Sequence, residues 1–364
     1  MTTLYVTEPQ SIVKKDGDTL VVSIPGDEKN GRQARKVRLP LVKIDEVIIL
    51  GDSTLTAPAL AALLEQRAAI TFLNSYGQYR GRVVPAESRN SLLRLAQFRA
   101  HDDPVKSLEL ARQFVLGKLG NLRTLLLRAN RKLKDGQAGT ERSERIGAAA
   151  DAIQGILEQV KGLASDGTPP PDPSKPQSGT VWGTLQGLEG AGTARYFGVF
   201  GQMLRGDAGM SFESRNRRPP RDPVNALLSY GYTLLLHQCS AALQTVGLDA
   251  YVGYLHSSQY SKPALALDLM EEFRGPVVDS VVLTLVNNRI LRADDFVEEM
   301  GSIRLKDTPR RTFLLKFEER LNTEIEHPTF DYKATYRRCI ELQARLLGKA
   351  LVGEITVYPP FRVR

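Results

Sequence analysis

Hydrophobic periodicity changes once along this chain, close to Pro85, and separates two parts of different structural class. Before that point, short β-branched runs such as TLVVSI and EVIIL alternate with turn signals such as Asp16-Gly17 and Gly51-Asp52, a pattern typical of strands and turns. After it, runs such as SLELARQFVLGKLGNLRTLLL repeat apolar residues at three- and four-residue spacing, which indicates helices. The sequence therefore predicts a β domain over residues 1–90 and a mainly helical region over residues 91–364.

Two segments interrupt these patterns. Residues 57–66, APALAALLEQ, follow possible helix caps at Thr54 and Thr56, so we expect one helix inside the β domain, covering a sheet edge. Residues 165–178, SDGTPPPDPSKPQS, carry too many prolines for a helix or a central strand. They are predicted to form a surface loop inserted between helices.

Composition restricts the class of protein. With 42% apolar and 25% charged residues over 364 positions, the chain can bury a core, and its length allows about two domains. No stretch approaches the ~20 uncharged apolar residues of a membrane helix, and the start, MTTLYVTEP, lacks a signal peptide. Cys239 and Cys339 show no metal-binding spacing. We expect a cytoplasmic protein with no membrane association and two ordinary thiols.

An acidic pair stands in the segment LHSSQYSKPALALDLMEEFR. On a helix, Asp268 and Glu271 lie on one face because they are three residues apart. Close carboxylates in a partly enclosed cleft repel each other unless a proton or a cation intervenes, and His256 stands in the loop before this helix. A metal site is one interpretation; the alternative is a pair of solvated surface acids, with ion pairs to Arg274 or Lys262.

A third acid, Glu189, lies in the otherwise uncharged, glycine-rich stretch VWGTLQGLEGAG. Gly183, Gly187 and Gly190 recur at four- and three-residue spacing, and we expect a second helix to approach closely along them. Tight helix packing around a hydrogen-bonded Glu189 is the alternative interpretation. Two or three carboxylates with one imidazole suit Mg²⁺ or Mn²⁺, and such an ion supports nuclease chemistry.

The formal charge of +8 and the isoelectric point near 9.4 favour a polyanionic partner. Basic residues also cluster. The groups are Arg80 and Arg82; Arg123, Arg128, Arg131, Lys132 and Lys134; Arg215, Arg217, Arg218 and Arg221; and Arg304, Lys306, Arg310 and Arg311. Any one group could be a solvated face, but four groups together favour nucleic acid.

Three motifs, LEGAGTARYF, RNRRPPRDPVNALLSYGYTLL and GYLHSSQYSKPALALDLMEEFR, follow the β-rich start. With them, the chain resembles the CRISPR-associated spacer-acquisition integrase and endonuclease family over essentially its whole length. The resemblance implies an α+β fold, with an N-terminal β-sandwich domain for dimerisation and partner contact, followed by a mainly α-helical catalytic and DNA-binding domain. It also implies a homodimer and a complex with a small ferredoxin-like CRISPR adaptation partner protein.

The resemblance also assigns residues. It implies that Glu189, His256 and Glu271 are metal ligands and that Asp268 is a further active-site acid. Because many relatives carry aspartate where Glu271 stands, both Asp268 and Glu271 are considered as the direct ligand, and Glu271 is preferred. From charge and proximity in sequence, the expected DNA-binding residues are Arg80, Arg82, Arg215, Arg217, Arg218 and Lys262.

The implied activity is Mg²⁺- or Mn²⁺-dependent insertion of short DNA duplexes, the spacers, into a CRISPR array. The 3′-hydroxyl ends join the two strands of double-stranded repeat DNA by direct transesterification, and the same centre can hydrolyse DNA. Three rivals remain. One is a metal-dependent nuclease of branched DNA in repair, and another is a non-catalytic DNA-binding scaffold, which intact Glu189, His256 and Glu271 disfavour. The third is a basic RNA-binding helical protein, which is disfavoured because the sequence shows no recognised RNA-binding module.

Overall fold

The computed structural model describes residues 3–26, 33–74, 79–85, 90–135, 140–168, 179–205, 209–216, 219–256 and 262–363. The chain divides into two compact units, Met1–Ser88 and Arg89–Arg364. The strands are β1 (Thr3–Val6), β2 (Ile12–Asp16), β3 (Thr19–Ile24), β4 (Arg35–Pro40), β5 (Glu46–Leu50), β6 (Thr54–Leu55), β7 (Ala69–Leu73), β8 (Tyr79–Val83), β9 (Phe296–Glu299), β10 (Ser302–Leu305), β11 (Glu324–Glu326) and β12 (Lys333–Thr335).

The helices are α1 (Ala57–Glu65), α2 (Ser91–Asp102), α3 (Pro104–Asp135), α4 (Thr140–Gly162), α5 (Val181–Phe200), α6 (Pro223–Val246), α7 (Ala264–Glu271), α8 (Ser280–Asn287), α9 (Asp307–Leu321) and α10 (Tyr336–Leu351). A π-helical turn, Arg274–Asp279, joins α7 to α8. Short 3₁₀ turns cover Leu41–Lys43, Gly201–Met203 and Ala293–Asp295. The predicted α+β fold, strands first and helices after, is confirmed.

The N-terminal unit contains two four-stranded sheets, ordered β1-β5-β7-β8 and β4-β3-β2-β6. Strand β5 pairs in parallel with both β1 and β7, placing Val6 beside Ile49. In the other sheet, β2 and β3 pair antiparallel, with Val13 opposite Val22. Apolar side chains from both sheets lie in one buried cluster, which is the shared core of a β-sandwich.

Helix α1 has a different role from the one expected. Ala59, Ala62 and Leu63 belong to the buried cluster that both sheets share. The helix packs against β2 and β7, and both strands are internal to their sheets. The prediction that this helix covers a sheet edge is therefore wrong; its small and apolar residues complete the core.

Two long helices organise the helical unit. Helix α3 packs against α2, α4, α5 and α7, and α6 packs against α7 and α10. The start of α6 is fixed because the side chain of Asp222 accepts a hydrogen bond from the backbone N–H of Asn225, and Pro223 occupies the first turn. The helix ends at Gly247, whose φ of 99° is left-handed. Helix α7 thus lies against both long helices.

Two small antiparallel hairpins, β9–β10 and β11–β12, interrupt the helical unit. Met300 and Gly301 join β9 to β10 with φ angles of 50° and 71°, so both central residues of the turn have positive φ. The sequence did not indicate this hairpin, because methionine replaces the usual Asn or Asp before the glycine. Its four-residue strands are also too short to show alternation.

The glycines of α5 do not act as the sequence suggested. A Cβ atom added at Gly187 or Gly190 would meet no atom within 4 Å. One added at Gly192 would lie only 2.6 Å from Cδ2 of Leu119 on α3. The close approach of two helices is real, but it occurs at Gly192, so its predicted location along Gly187 and Gly190 is wrong.

Other sequence expectations concern thiols, membranes and the proline-rich loop. Cys239 and Cys339 are buried free thiols, as expected, and burial raises the pKa of the Cys339 thiol to about 12. None of the helices in the described part of the chain is long and apolar enough to cross a membrane. Of the proline-rich segment, residues 165–168 are described and residues 169–178 lie outside the described ranges.

Candidate active site

Four separate segments of the helical unit meet around one buried ammonium group. Lys118 of α3 contacts Oε1 of Glu189 on α5, and its Nζ atom lies 2.8 Å from Oε2 of Glu271 at the end of α7. His256 lies on the other side of Glu271, with 3.8 Å between its Nε2 and Glu271 Oε1. Asp268 adjoins His256. The structure thus brings together all four predicted acidic and histidine residues.

Asp268 anchors the chain that leads to His256. Its Oδ2 accepts hydrogen bonds from the backbone N–H groups of Tyr254, at 2.6 Å, and Leu255, at 3.0 Å. Its Oδ1 accepts the backbone N–H of His256 at 2.9 Å and lies 2.7 Å from His256 Nδ1. The residue is fully buried. Both oxygens are therefore committed to the protein, and Nδ1 donates to the carboxylate, which leaves Nε2 facing Glu271.

Glu271 is a buried carboxylate held by cations. Its Oε1 lies 3.2 Å from a guanidinium nitrogen of Arg274, and its Oε2 pairs with Lys118 at an angle outside that of a hydrogen bond. Burial, the largest single influence, raises its pKa, but Arg274, Lys118 and His256 together outweigh burial and lower the pKa to about 2. Glu271 is therefore ionised at neutral pH.

These positions decide between the two interpretations of the acidic pair. Asp268 is 0% exposed and the side chain of Glu271 is 3% exposed, so the alternative of solvated surface acids is wrong. The expected ion pair between Glu271 and Arg274 does form, but inside the protein. Burial of two acids on one short helix requires compensation. Lys118 and Arg274 provide it for Glu271, and three backbone N–H groups provide it for Asp268.

Glu189 is the more accessible carboxylate of the site. Its side chain is 25% exposed. Oε1 accepts a hydrogen bond from Oγ1 of Thr193, one helical turn later, at 3.0 Å, and it also accepts from Lys118. Glu189 is thus hydrogen-bonded, as its packing interpretation expected, but its partner is a cation shared with Glu271.

Two charged residues that contact the candidate site, Lys118 and Arg274, were not predicted as part of it. Lys118 is the only charged residue between Arg112 and Arg123, and its side chain is only 5% exposed. A lone lysine inside an apolar helical run was the available signal. The sequence suggests Arg274 only as the partner of a surface acid, yet its guanidinium lies 4.8 Å from the centroid of the Tyr232 ring.

A buried hydrogen-bonded group, made of Asp279, Tyr196 and Tyr232, adjoins Arg274. Asp279 accepts hydrogen bonds from the hydroxyls of Tyr196, at 2.8 Å, and Tyr232, at 2.6 Å. Burial raises the pKa of Asp279 to about 6, against the opposing effect of these hydrogen bonds and of nearby arginines. Because Tyr232 also lies against the Arg274 guanidinium, this group fixes the position of Arg274 beside Glu271.

The predicted DNA-binding residues are dispersed. Arg215 donates to Oδ1 of Asn225 at 2.6 Å and to Oγ of Ser229 at 3.1 Å, so helix α6 holds its guanidinium. Lys262 is half-buried immediately before α7. Arg217 and Arg218 lie outside the described residues.

The remaining pair, Arg80 and Arg82, lies on β8 of the N-terminal unit. Arg80 is exposed and lies 3.3 Å from Asp52. Arg82 is half-buried, and burial lowers its pKa, opposed by the charges of Glu46 and Tyr79. Contact of these arginines with DNA stays a prediction.

Glu189, Glu271 and His256 are the candidate ligands for a metal ion. In the described ranges, no three His, Cys, Asp or Glu side chains converge closely enough to hold an ion as they stand, because the Lys118 ammonium separates Glu189 from Glu271. The chemistry of the donors nevertheless fits, since two carboxylates and one imidazole nitrogen suit Mg²⁺ or Mn²⁺.

The amino-acid sequence is similar to those of known CRISPR-associated proteins. A model of the family described as CRISPR associated protein Cas1 matches residues 4–319. The CRISPR-associated endonuclease Cas1 3 of Thermus thermophilus is 38% identical over 361 residues, covering 99% of this chain and 97% of that protein. A Cas4/Cas1 fusion of Geobacter sulfurreducens is 39% identical over 99% of this chain. The chain spans 60% of that fusion's length.

Solved structures show the same fold. A casposase bound to integration product matches with a TM-score of 0.81 and 24% identity, over 100% of this chain and 95% of that one. A Cas1 protein from Thermotoga maritima matches with a TM-score of 0.75 and 22% identity, over the full length of both chains. Because the family model covers most of the sequence and close relatives align end to end, the chain belongs to the Cas1 family of CRISPR-associated proteins.

Proposed function

We propose that this chain is a divalent-metal-dependent DNA endonuclease and integrase of CRISPR adaptation, which inserts spacer duplexes into the CRISPR array by 3′-hydroxyl transesterification. Relatives that are 38%, 36% and 34% identical are named CRISPR-associated endonucleases. The observation that carries the proposal is that Lys118 contacts both Glu189 and Glu271, while Nε2 of His256 lies 3.8 Å from Glu271 Oε1. A buried, ionised Glu271 favours catalysis over a scaffold, because carboxylates with strongly shifted pKa values concentrate at functional sites.

In this proposal Glu189, Glu271 and Nε2 of His256 hold Mg²⁺ or Mn²⁺. A bound ion supplies polarisation of the attacked phosphate and stabilisation of charge in the transition state. Glu271 is preferred to Asp268 as the direct ligand, because both Asp268 oxygens already accept hydrogen bonds from the backbone of residues 254–256 and from the His256 imidazole. Asp268 instead orients the imidazole, and Arg274 keeps Glu271 ionised.

The DNA would be held by basic side chains. The proposed phosphate contacts are Arg80, Arg82, Arg215, Arg217, Arg218 and Lys262. Arg215 lies 5.5 Å from the centroid of the Tyr232 ring, which is the ring that also contacts Arg274. Tyr232 thus connects one proposed phosphate contact to the residue that pairs with Glu271.

The proposed partners are a second copy of this chain and a small adaptation protein. We propose a cytoplasmic homodimer that contacts a small ferredoxin-like adaptation protein through the β-sandwich domain, residues 1–90. The fold recurs at a TM-score of 0.73 and 25% identity in a chain of a Cas6-RT-Cas1–Cas2 complex, where this chain covers 36% of its counterpart. That assembly supports a second CRISPR protein as partner.

The test is joining of a labelled short duplex to a supercoiled plasmid that carries a CRISPR repeat, with Mn²⁺ or Mg²⁺, in the presence and absence of the small partner. Glu189→Gln, His256→Ala and Glu271→Gln should abolish joining while DNA binding persists. The exposed Lys161→Met on α4 is the control and should join normally. Cleavage of branched DNA with no joining by the wild type would instead support the repair nuclease.

A further inference from the structure

We propose that Lys118 is an internal counter-cation, which holds Glu189 and Glu271 together in the metal-free protein and competes with the divalent ion for both carboxylates. The inference rests on the proposed function, because it takes these two glutamates as ligands of the ion. It adds a residue that tunes how tightly the ion binds.

The first support is the position of the ammonium. Lys118 contacts a carboxylate oxygen of Glu189 and one of Glu271 simultaneously. Its side chain is 5% exposed, and that of Glu271 is 3% exposed. A buried lysine needs compensating negative charge, and two buried or half-buried glutamates need positive charge. Each of the three groups is therefore stabilised by the others.

The second support is the charge balance. Glu189, Glu271 and Asp268 provide three negative charges, and Lys118 and Arg274 provide two positive charges. With His256 neutral, the site carries one excess negative charge. A divalent ion would change this to three negative against four positive charges, with an ammonium in contact with the same oxygens. Like charges at such separations repel strongly in a protein interior, so the ammonium must withdraw.

The third support is that Lys118 is the cation able to move. Arg274 contacts only one of the two glutamates, and Tyr232 lies against its guanidinium. The backbone of α3 is itself fixed here, since a Cβ added at Gly117 would lie 2.9 Å from Cγ of Glu272. Lysine carries its charge on a flexible four-carbon stem. Displacement of this one side chain opens the carboxylate pair without movement of the helix.

The experiment compares the full-length wild type with Lys118→Met, which keeps the apolar stem and removes the charge, and with Lys161→Met as a surface control. Calorimetric titration with Mn²⁺ at one fixed pH near neutrality should give a Kd about tenfold lower for Lys118→Met, since removal of one contacting charge favours the ion by this order. In EDTA, its Tm should fall below that of both other proteins, and saturating Mn²⁺ should raise its Tm by more.

A double variant protects the test against misfolding. Adding Glu189→Gln to Lys118→Met removes the unbalanced charge, and the metal-free Tm should recover; failure to recover would overturn the inference. Equal or weaker Mn²⁺ binding by Lys118→Met, beside normal binding by the wild type, would also overturn it and leave the proposed function intact. Absence of Mn²⁺ binding by the wild type, together with absence of joining, would overturn both.

Discussion

Nδ1 of His256 lies 2.7 Å from Oδ1 of the fully buried Asp268. The same carboxylate holds the backbone of residues 254–256 through three N–H groups. A carboxylate in this position fixes both the tautomer and the orientation of an imidazole. As a result, Nε2 is presented toward Glu271, at 3.8 Å from its Oε1.

Asp268→Asn should weaken Mn²⁺ binding about 10- to 100-fold, because an amide cannot accept from all four of these donors and its NH₂ group will face two of them. The protein should remain folded, and its affinity for DNA should be unchanged. Calorimetric titration with Mn²⁺ measures the effect. Asp249→Asn is the matched control, since Asp249 also accepts a backbone N–H, that of Tyr251 at 2.8 Å, away from the site. Equal Mn²⁺ affinity in wild type and Asp268→Asn would contradict the role of Asp268.

Arg274→Met should shift the acid limit of activity to higher pH. Arg274 is the strongest of the cations that lower the pKa of Glu271 to about 2, below its ordinary 4.5. Without the guanidinium the pKa rises, so Glu271 becomes protonated, and unable to bind an ion, at a higher pH than in the wild type.

The measurement is a pH profile of DNA cleavage at saturating Mn²⁺, with Arg145→Met, an exposed residue of α4 paired with Glu141, as the control. The free energy of unfolding of Arg274→Met should likewise begin to fall at a higher pH than that of the wild type. A depressed pKa stabilises the fold above the unfolded value and loses that contribution as pH falls from 4.5 toward 2. If cleavage activity falls at the same acidic pH in the wild type and in Arg274→Met, Arg274 does not keep Glu271 ionised.

The sequence was sufficient for the fold class and for the convergence of the acids, but not for their roles. The loss of strand signals and the start of helical spacing near Pro85 reflect local periodicity, which sequence shows directly. Which of Asp268 and Glu271 remains available to an ion depends on the path of residues 254–256, whose N–H groups occupy Asp268. Such tertiary hydrogen bonds have no periodic signature.

Lys118 and Arg274 illustrate the same limit. Lys118 is 71 residues from Glu189 and 153 from Glu271, so only the packing of α3 against α5 and α7 brings them together. Arg274 stood next to the acidic helix, but charge alone suggested a surface ion pair. The buried aromatic support from Tyr232, which makes this pair internal, comes from α6.

Glu272 should make the stability of the protein fall as pH rises from about 4.5 to about 8. Its buried carboxyl accepts from the Tyr358 hydroxyl at 2.9 Å, the Phe361 N–H at 2.8 Å and Nε2 of Gln343 at 3.2 Å. Burial, the largest influence, raises its pKa to about 8. Between 4.5 and 8 the folded state binds a proton that the unfolded state has lost, so the free energy of unfolding decreases with rising pH in this window.

Thermal unfolding from about pH 6 to about pH 9 tests this, with Glu272→Gln as the neutral replacement that cannot ionise. The Tm of the wild type should decline more steeply than that of Glu272→Gln, and the two curves should separate most at the alkaline end. Glu158→Gln, on the exposed face of α4, should follow the wild type. Parallel curves for wild type and Glu272→Gln would show that the carboxyl is already ionised in the fold.

Gly192→Ala should destabilise the helical unit, whereas Gly187→Ala in the same helix should not. At Gly192 the new Cβ would lie 2.6 Å from Cδ2 and 3.0 Å from Cδ1 of Leu119, the residue after Lys118, while at Gly187 it meets nothing within 4 Å. Overpacking of this kind costs about 1–3 kcal/mol, and alanine in an open helical position gains about 1 kcal/mol over glycine.

Urea unfolding of the two variants and the wild type measures both effects, and their opposite signs separate steric strain from helix propensity. Because Leu119 adjoins Lys118 and Gly192 adjoins Thr193, which donates to Glu189, strain at this contact should also reach the site. Gly192→Ala should therefore lower the rate of DNA cleavage, and Gly187→Ala should leave it unchanged. Equal stability of the two variants would mean that α3 and α5 do not approach each other as closely as Gly192 and Leu119 indicate.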